Sequence, residues 1–164
     1  MLYIAFDQAT VVSGYSVYKD HDLIDYGKFK HEGEINQRIS KTVQNILKVI
    51  KTYKDKYPEE KLKVIIEDIQ LQQGKNGNTL TFKQLAQLQG AVIVAVLDNY
   101  QQIPDIYYAS SWKSFNKVTG RARAEQKRNA QKKVEELHGI KVTQDEADAI
   151  LLGRYASHKE INWG

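Results

Sequence analysis

Two short apolar runs, each closed by an acid, constrain the fold of this chain more than any other feature. Leu2-Tyr3-Ile4-Ala5-Phe6 runs into Asp7, and Leu62-Lys63-Val64-Ile65-Ile66 runs into Glu67 and Asp68. Apolar runs of this length, the second rich in β-branched residues, read as buried strands. Each strand carries its acid to its C-terminal end. If the two strands are neighbours, Asp7 and Glu67 stand side by side, at the end of a sheet where α/β folds commonly build their sites.

The remaining pattern completes an α/β architecture. Ser13–Lys19 and Leu23–Lys30 read as a second and third strand, and the short links predict antiparallel neighbours. Ile35, Ile39, Val43, Ile46, Ile50 and Tyr53 recur every three or four residues, which predicts an amphipathic helix ending before Pro58. A loop with Gly74, Lys75, Asn76, Gly77 and Asn78 precedes a helix from Thr79 to about Tyr100, whose later half is apolar on more than one face. Ile103–Ala109 reads as a fifth strand with Pro104 near its start. Helices are expected from about Ala124 to His138 and from Asp145 to about Ala156. The order β-β-β-α-β-α-β-α-α predicts a mixed five-stranded sheet flanked by helices on both faces, with Leu62–Ile66 as its central strand. Residues 1–164 show no repeat and no linker, so a single domain is expected.

Composition removes several chemistries. The chain has no cysteine, which excludes disulfides, thiolate zinc sites and cysteine nucleophiles and fits a reducing, cytoplasmic setting. The first residues lack the basic region of a secretory signal. No apolar run approaches the ~18 residues of a membrane span, Ala91–Leu97 being the strongest, so no membrane association is expected. The charge is unevenly placed. Lys113, Lys117, Arg121, Arg123, Lys127, Arg128, Lys132 and Lys133 face Glu125 alone within their segment, although the whole chain nets only +4. That asymmetry points to a polyanionic partner met at one face, against the plainer reading of a solvated basic helix.

Two further acids stand out. Asp145 and Asp148 are three apart on the last helix, so both project from one face, and Ala147, Ile150 and Leu151 can seat that helix on the sheet. Carboxylates gathered this closely repel unless one is protonated or a cation intervenes, and hard divalent cations prefer oxygen ligands. Each acid also has an ordinary structural use. Asp7 can simply end a strand, and Glu67 or Asp68 can be a loop acid. Thr143-Gln144-Asp145-Glu146 is a capping box in which the helix dipole favours an acid.

These residues carry a resemblance. Ile4-Ala5-Phe6-Asp7-Gln8-Ala9-Thr10-Val11-Val12-Ser13-Gly14-Tyr15-Ser16 resembles the first strand and turn of the RuvC family of Holliday-junction resolvases. Val64-Ile65-Ile66-Glu67 resembles the family's second acidic motif, Leu88-Gln89-Gly90-Ala91-Val92 the helix that follows, and Asp145-Glu146-Ala147-Asp148-Ala149 its closing Asp-x-x-Asp-Ala motif. The likeness runs through nearly the whole chain in order. It implies an RNase H-like fold, with Asp7, Glu67, Asp145 and Asp148 as metal-binding catalytic acids. It further implies Mg²⁺ as cofactor, with Mn²⁺ able to substitute, and a homodimer formed through the helix matching 79–97. The implied reaction is two-metal hydrolysis in two strands of a four-way junction, with Asp7 bridging the ions. Lys113 and Lys127 approximately match basic residues that contact DNA near the family's active site; Lys117, Arg121, Arg123 and Arg128 are further candidate phosphate contacts.

The chain departs from the family pattern in two places. Where the family often carries an aromatic residue three places after its second acid, this chain has Gln70, with Gln72 and Gln73 nearby. An amide hydrogen-bonds but offers no comparable stacking face, so a relaxed sequence preference is expected. The loop Val118–Arg123 is more basic than the family pattern, which favours phosphate contacts. Together with small size these features resemble a phage-encoded member. Trp112 reads as a core anchor first and a DNA-stacking residue second. Rival readings are a catalytically silent branched-DNA-binding protein, a nuclease acting on RNA–DNA hybrids, and an actin-like ATPase. The last lacks a glycine after Asp7 and a second phosphate loop.

Overall fold

The structure, a computed structural model, describes residues 1–70 and 79–159. Gln72, Gln73 and the Gly74–Asn78 loop of the sequence reading lie outside the described residues. The elements are β1 (Leu2–Asp7), β2 (Val12–Lys19), β3 (Asp22–Lys30), α1 (Ile35–Lys56), β4 (Leu62–Glu67), α2 (Thr79–Tyr100), β5 (Asp105–Tyr107), α3 (Ala109–Phe115), α4 (Arg123–His138) and α5 (Gln144–His158). The five strands form one mixed sheet in the order β3-β2-β1-β4-β5. β1 pairs antiparallel with β2 and parallel with β4.

Strand parity divides the core. Leu2, Ile4 and Phe6 of β1 join Val64 and Ile66 of β4 against α1 and α2, through Ile46, Ile50, Leu88, Val92 and Val96. Tyr3 and Ala5, with Ile65, face the other way into a cluster with Trp112, Ala130, Val134, Ile150 and Leu151 of α3, α4 and α5. Asp7 and Glu67 continue this second parity, so the alternation that hides Phe6 and Ile66 under α2 turns both acids toward α5.

Three expectations need correction. The central strand is β1, with β4 beside it, because β1 is paired on both sides by β2 and β4 while β5 lies outside β4. The expected strand Ile103–Ala109 shrinks to Asp105–Tyr107, and Ala109 begins the unforeseen helix α3. That helix is short, and Tyr108 at its N-cap makes no side-chain cap bond, so no start signal marks it. Finally, α2 is 22 residues long and by length and composition apolar enough to cross a membrane, an 18-residue stretch within it having a mean hydropathy of 1.4. Gln84, Gln87 and Gln89 break its apolar runs without adding charge, which hid this from a search for continuous apolar stretches. Leu88, Val92 and Val96 seat one side of α2 in the core, while Leu80, Val94 and Leu97 are 59, 56 and 43 % exposed.

Candidate active site

The parallel register of β1 and β4 runs from Leu2↔Leu62 to Phe6↔Ile66, so Asp7 and Glu67 are the next pair in line. Gln8 fixes this strand end. Its side-chain amide donates to the Glu67 carbonyl at 2.7 Å and accepts from the Glu67 N–H at 3.3 Å. A buried Gln8 thus ties the end of β4 to the residue after β1.

α5 brings the second pair of acids. Its first turn is closed by the capping box foreseen from sequence: Thr143 Oγ1 accepts from the Glu146 N–H, and Glu146 Oε1 accepts from the Thr143 N–H. Farther along, three successive α5 carbonyls take side-chain donors. Ser16 Oγ donates to Ala149 O at 2.6 Å, Tyr18 OH to Ile150 O at 2.9 Å and Asn116 Nδ2 to Leu151 O at 3.0 Å. The helix lies very close to the sheet at Gly14, which pairs with Asp7 across β1 and β2. A Cβ there would sit 2.0 Å from the Asp145 carbonyl oxygen, so only glycine allows this approach.

Asp7, Glu67, Asp145 and Asp148 consequently line one cleft of about 420 Å³. Burial, then the charges of Glu67 and Asp148 and a hydrogen bond with Glu67, push the Asp7 carboxyl well above its ordinary range. Burial first, and Glu67 next, push Asp148 up to about 7, while Lys113 and Lys127 pull it down. Both carboxyls are held toward their protonated forms by burial first and by neighbouring acids second, which is the electrostatic setting a bound cation would relieve. Among the described residues no group of three His, Asp or Glu stands ready-placed around one point, so chelation by three requires side-chain rotation within the cleft. The donor set is otherwise suited to a hard divalent cation: carboxylate oxygens throughout, with no thiolate.

The DNA-contact candidates divide. Lys113, Arg123, Lys127 and Gln70 line the cleft, whereas Lys117, Arg121 and Arg128 are exposed outside its lining. Lys113 Nζ donates to Gln126 Oε1 at 3.2 Å, and Gln126 Nε2 donates to the Gly120 carbonyl at 3.0 Å, anchoring the basic loop to the wall. Sequence reasoning missed two contributors. Gln8 carried one signal, a polar residue directly after a strand-ending acid. Trp112 was read as a core anchor, and at 1 % exposure it is one; its indole Nε1 also donates to Glu67 Oε1 at 2.7 Å.

The fold has known counterparts. A Thermus thermophilus RuvC in complex with a Holliday junction substrate superposes with a TM-score of 0.70 at 16 % identity, covering 98 % of this chain and 96 % of that one. A second Thermus thermophilus RuvC structure gives 0.67 at 18 % identity, covering 99 % and 97 %. The fold is therefore RNase H-like, as the sequence resemblance implied. No curated protein matches. The family model described as crossover junction endodeoxyribonuclease RuvC matches residues 5–153, a span that holds all four acids and every cleft-lining cation, and the chain belongs to the RuvC family.

Proposed function

We propose that this chain is a Mg²⁺-dependent endodeoxyribonuclease that resolves four-way DNA junctions, its residues 1–164 acting as one nuclease domain. The observation that carries the reading is the convergence of Asp7, Glu67, Asp145 and Asp148 on one cleft whose wall also holds Lys113, Arg123 and Lys127. Asp7 and Glu67 from the sheet and Asp145 and Asp148 from α5 would hold the metal; Mn²⁺ would serve in its place. When bound, the metal supplies the charge that activates water and stabilises the leaving oxygen of the phosphodiester. The lysines and Arg123 seat the scissile strand by its phosphates. The exposed α2 face of Leu80, Val94 and Leu97 serves a two-fold dimer, which would present two clefts to two strands of like polarity.

Strand-by-strand cleavage of a fixed four-way junction in Mg²⁺, beside a linear duplex and an RNA–DNA hybrid, tests this. Paired cuts in two junction strands are expected. Tight junction binding without cuts in any metal would favour the silent binding protein, and preferential cutting of the hybrid would favour the RNA-directed relative. Gln70 supports relaxed sequence preference, since it lines the cleft without a stacking face. Rates on junctions differing only at the crossover bases should then vary by less than about tenfold, the span of one discriminating contact. A sharp preference would count against Gln70 as the explanation.

A further inference from the structure

Trp112 joins the cleft to the core in a way that ordinary core packing does not require. It belongs to α3, is 1 % exposed, and spends its only side-chain donor on Glu67 Oε1 at 2.7 Å. The α3 turn holding it is itself pinned, because Asn116 Nδ2 donates to the Trp112 carbonyl at 2.7 Å and to Leu151 O of α5 at 3.0 Å. On the Glu67 side, the Gln8 amide fixes the backbone. Lys113 Nζ lies 5.5 Å from the indole ring centroid, so the same ring also backs a cleft cation.

A charge-assisted hydrogen bond of this kind fixes the carboxylate rotamer and occupies part of the coordinating capacity of one oxygen. The bound Oε1 is disfavoured as half of a two-oxygen chelate. Ca²⁺ takes carboxylates through both oxygens in high, flexible coordination, whereas Mg²⁺ demands near-octahedral geometry with few protein oxygens and several waters. We propose that Trp112 is a positioning residue that restricts Glu67 to one-oxygen ligation and thereby sets the preference of the centre for Mg²⁺ over Ca²⁺. The inference rests on the metal-centre reading above.

Calorimetric titration of the full chain with MgCl₂ and with CaCl₂, without DNA, tests it in wild type, Asp7→Asn and Trp112→Phe. The Phe variant keeps an aromatic filler and loses the donor. Mg²⁺ affinity should fall roughly tenfold in Trp112→Phe, the scale for removing an outer-shell partner of a metal ligand, while Ca²⁺ affinity holds, so that the ratio of Mg²⁺ to Ca²⁺ affinity falls with it. Equal weakening of both ions would reveal a merely structural role and overturn the proposal. A second measurement does not depend on the variant's folding. In a Trp163→Phe background, the indole N–H resonance of Trp112 should move on Mg²⁺ addition and on Glu67→Gln; a resonance indifferent to both would overturn it as well. Failure of wild type to bind either ion would overturn the metal centre and this inference together. Wild-type Mg²⁺ binding that Asp7→Asn abolishes, with an unchanged ion ratio in Trp112→Phe, would overturn the role of Trp112 alone.

Discussion

Asp148 sits between opposing influences: burial and two acids raise its carboxyl, while Lys113 and Lys127 draw it down, and the balance falls at about 7 against an ordinary 3.8. The folded, metal-free chain therefore holds a proton there that the unfolded chain releases. Stability from this source is fully present at pH values below the unfolded value and is lost as pH rises from about 4 through about 7. Asp7, also raised, acts in the same sense. His138 and His158 act oppositely: burial holds both below the ordinary 6.5, so acidification below that value costs stability. Melting curves in EDTA across pH 4 to 8, taken as the difference between wild type and Asp148→Asn, isolate the carboxylate contribution; wild type should lose its relative advantage toward pH 8. Mg²⁺ should raise the melting temperature at pH 8 and do little at pH 5. Asp7→Asn should keep junction binding and lower the cleavage rate by about 100-fold or more, the scale of several kcal/mol of lost charge stabilisation.

At the scale of elements, the close approach of α5 to β2 is the feature on which the second acid pair depends. Gly14→Ala would force a Cβ to within 2.0 Å of the Asp145 carbonyl oxygen and 3.2 Å of Ala149 Cβ. The N-terminal turn of α5 must then lift away, with an expected loss of about 1–3 kcal/mol in denaturant melts and a drop in cleavage larger than the stability change explains. Much of this arrangement was legible in the sequence. Strand ends were marked by Asp7 and Glu67, the capping box fixed the start of α5, and i, i+3 spacing put Asp145 and Asp148 on one face. What remained hidden depends on contacts across long stretches of chain. The bond from Trp112 to Glu67 spans 45 residues, and no local pattern foretells it. α3 escaped notice because Tyr107, Tyr108 and Ala109 prolong the look of a strand while no capping side chain marks the change.

At the scale of the whole molecule, the exposed apolar residues of α2 and the cleft-lining cations lie on different elements. Leu80, Val94 and Leu97 on α2 are exposed, while Lys113, Arg123 and Lys127 gather at the cleft. If the proposed pairing through α2 and DNA contact at the cleft hold, the two should be separable by mutation. Val94→Asp combined with Leu97→Asp should shift the protein to monomer in sedimentation or light scattering, because desolvated like charges would meet across a two-fold axis. A cleft left intact in that monomer should still bind metal as wild type does. Double-strand resolution should fall much further than single nicks. A dimer that survives both substitutions would place the pairing surface elsewhere.

The donors from Ser16, Tyr18 and Asn116 to the successive carbonyls of Ala149, Ile150 and Leu151 have a consequence for how such a chain tolerates change. Apolar contacts can slide and still pack, but directional bonds to three neighbouring carbonyls register the helix against β2 and the end of α3 like a keyed joint. Drift among the aliphatic side chains of α5 should then be felt as lost robustness long before it is felt as lost turnover per folded molecule. The chemistry would be insulated from the gradual repacking that distant relatives accumulate.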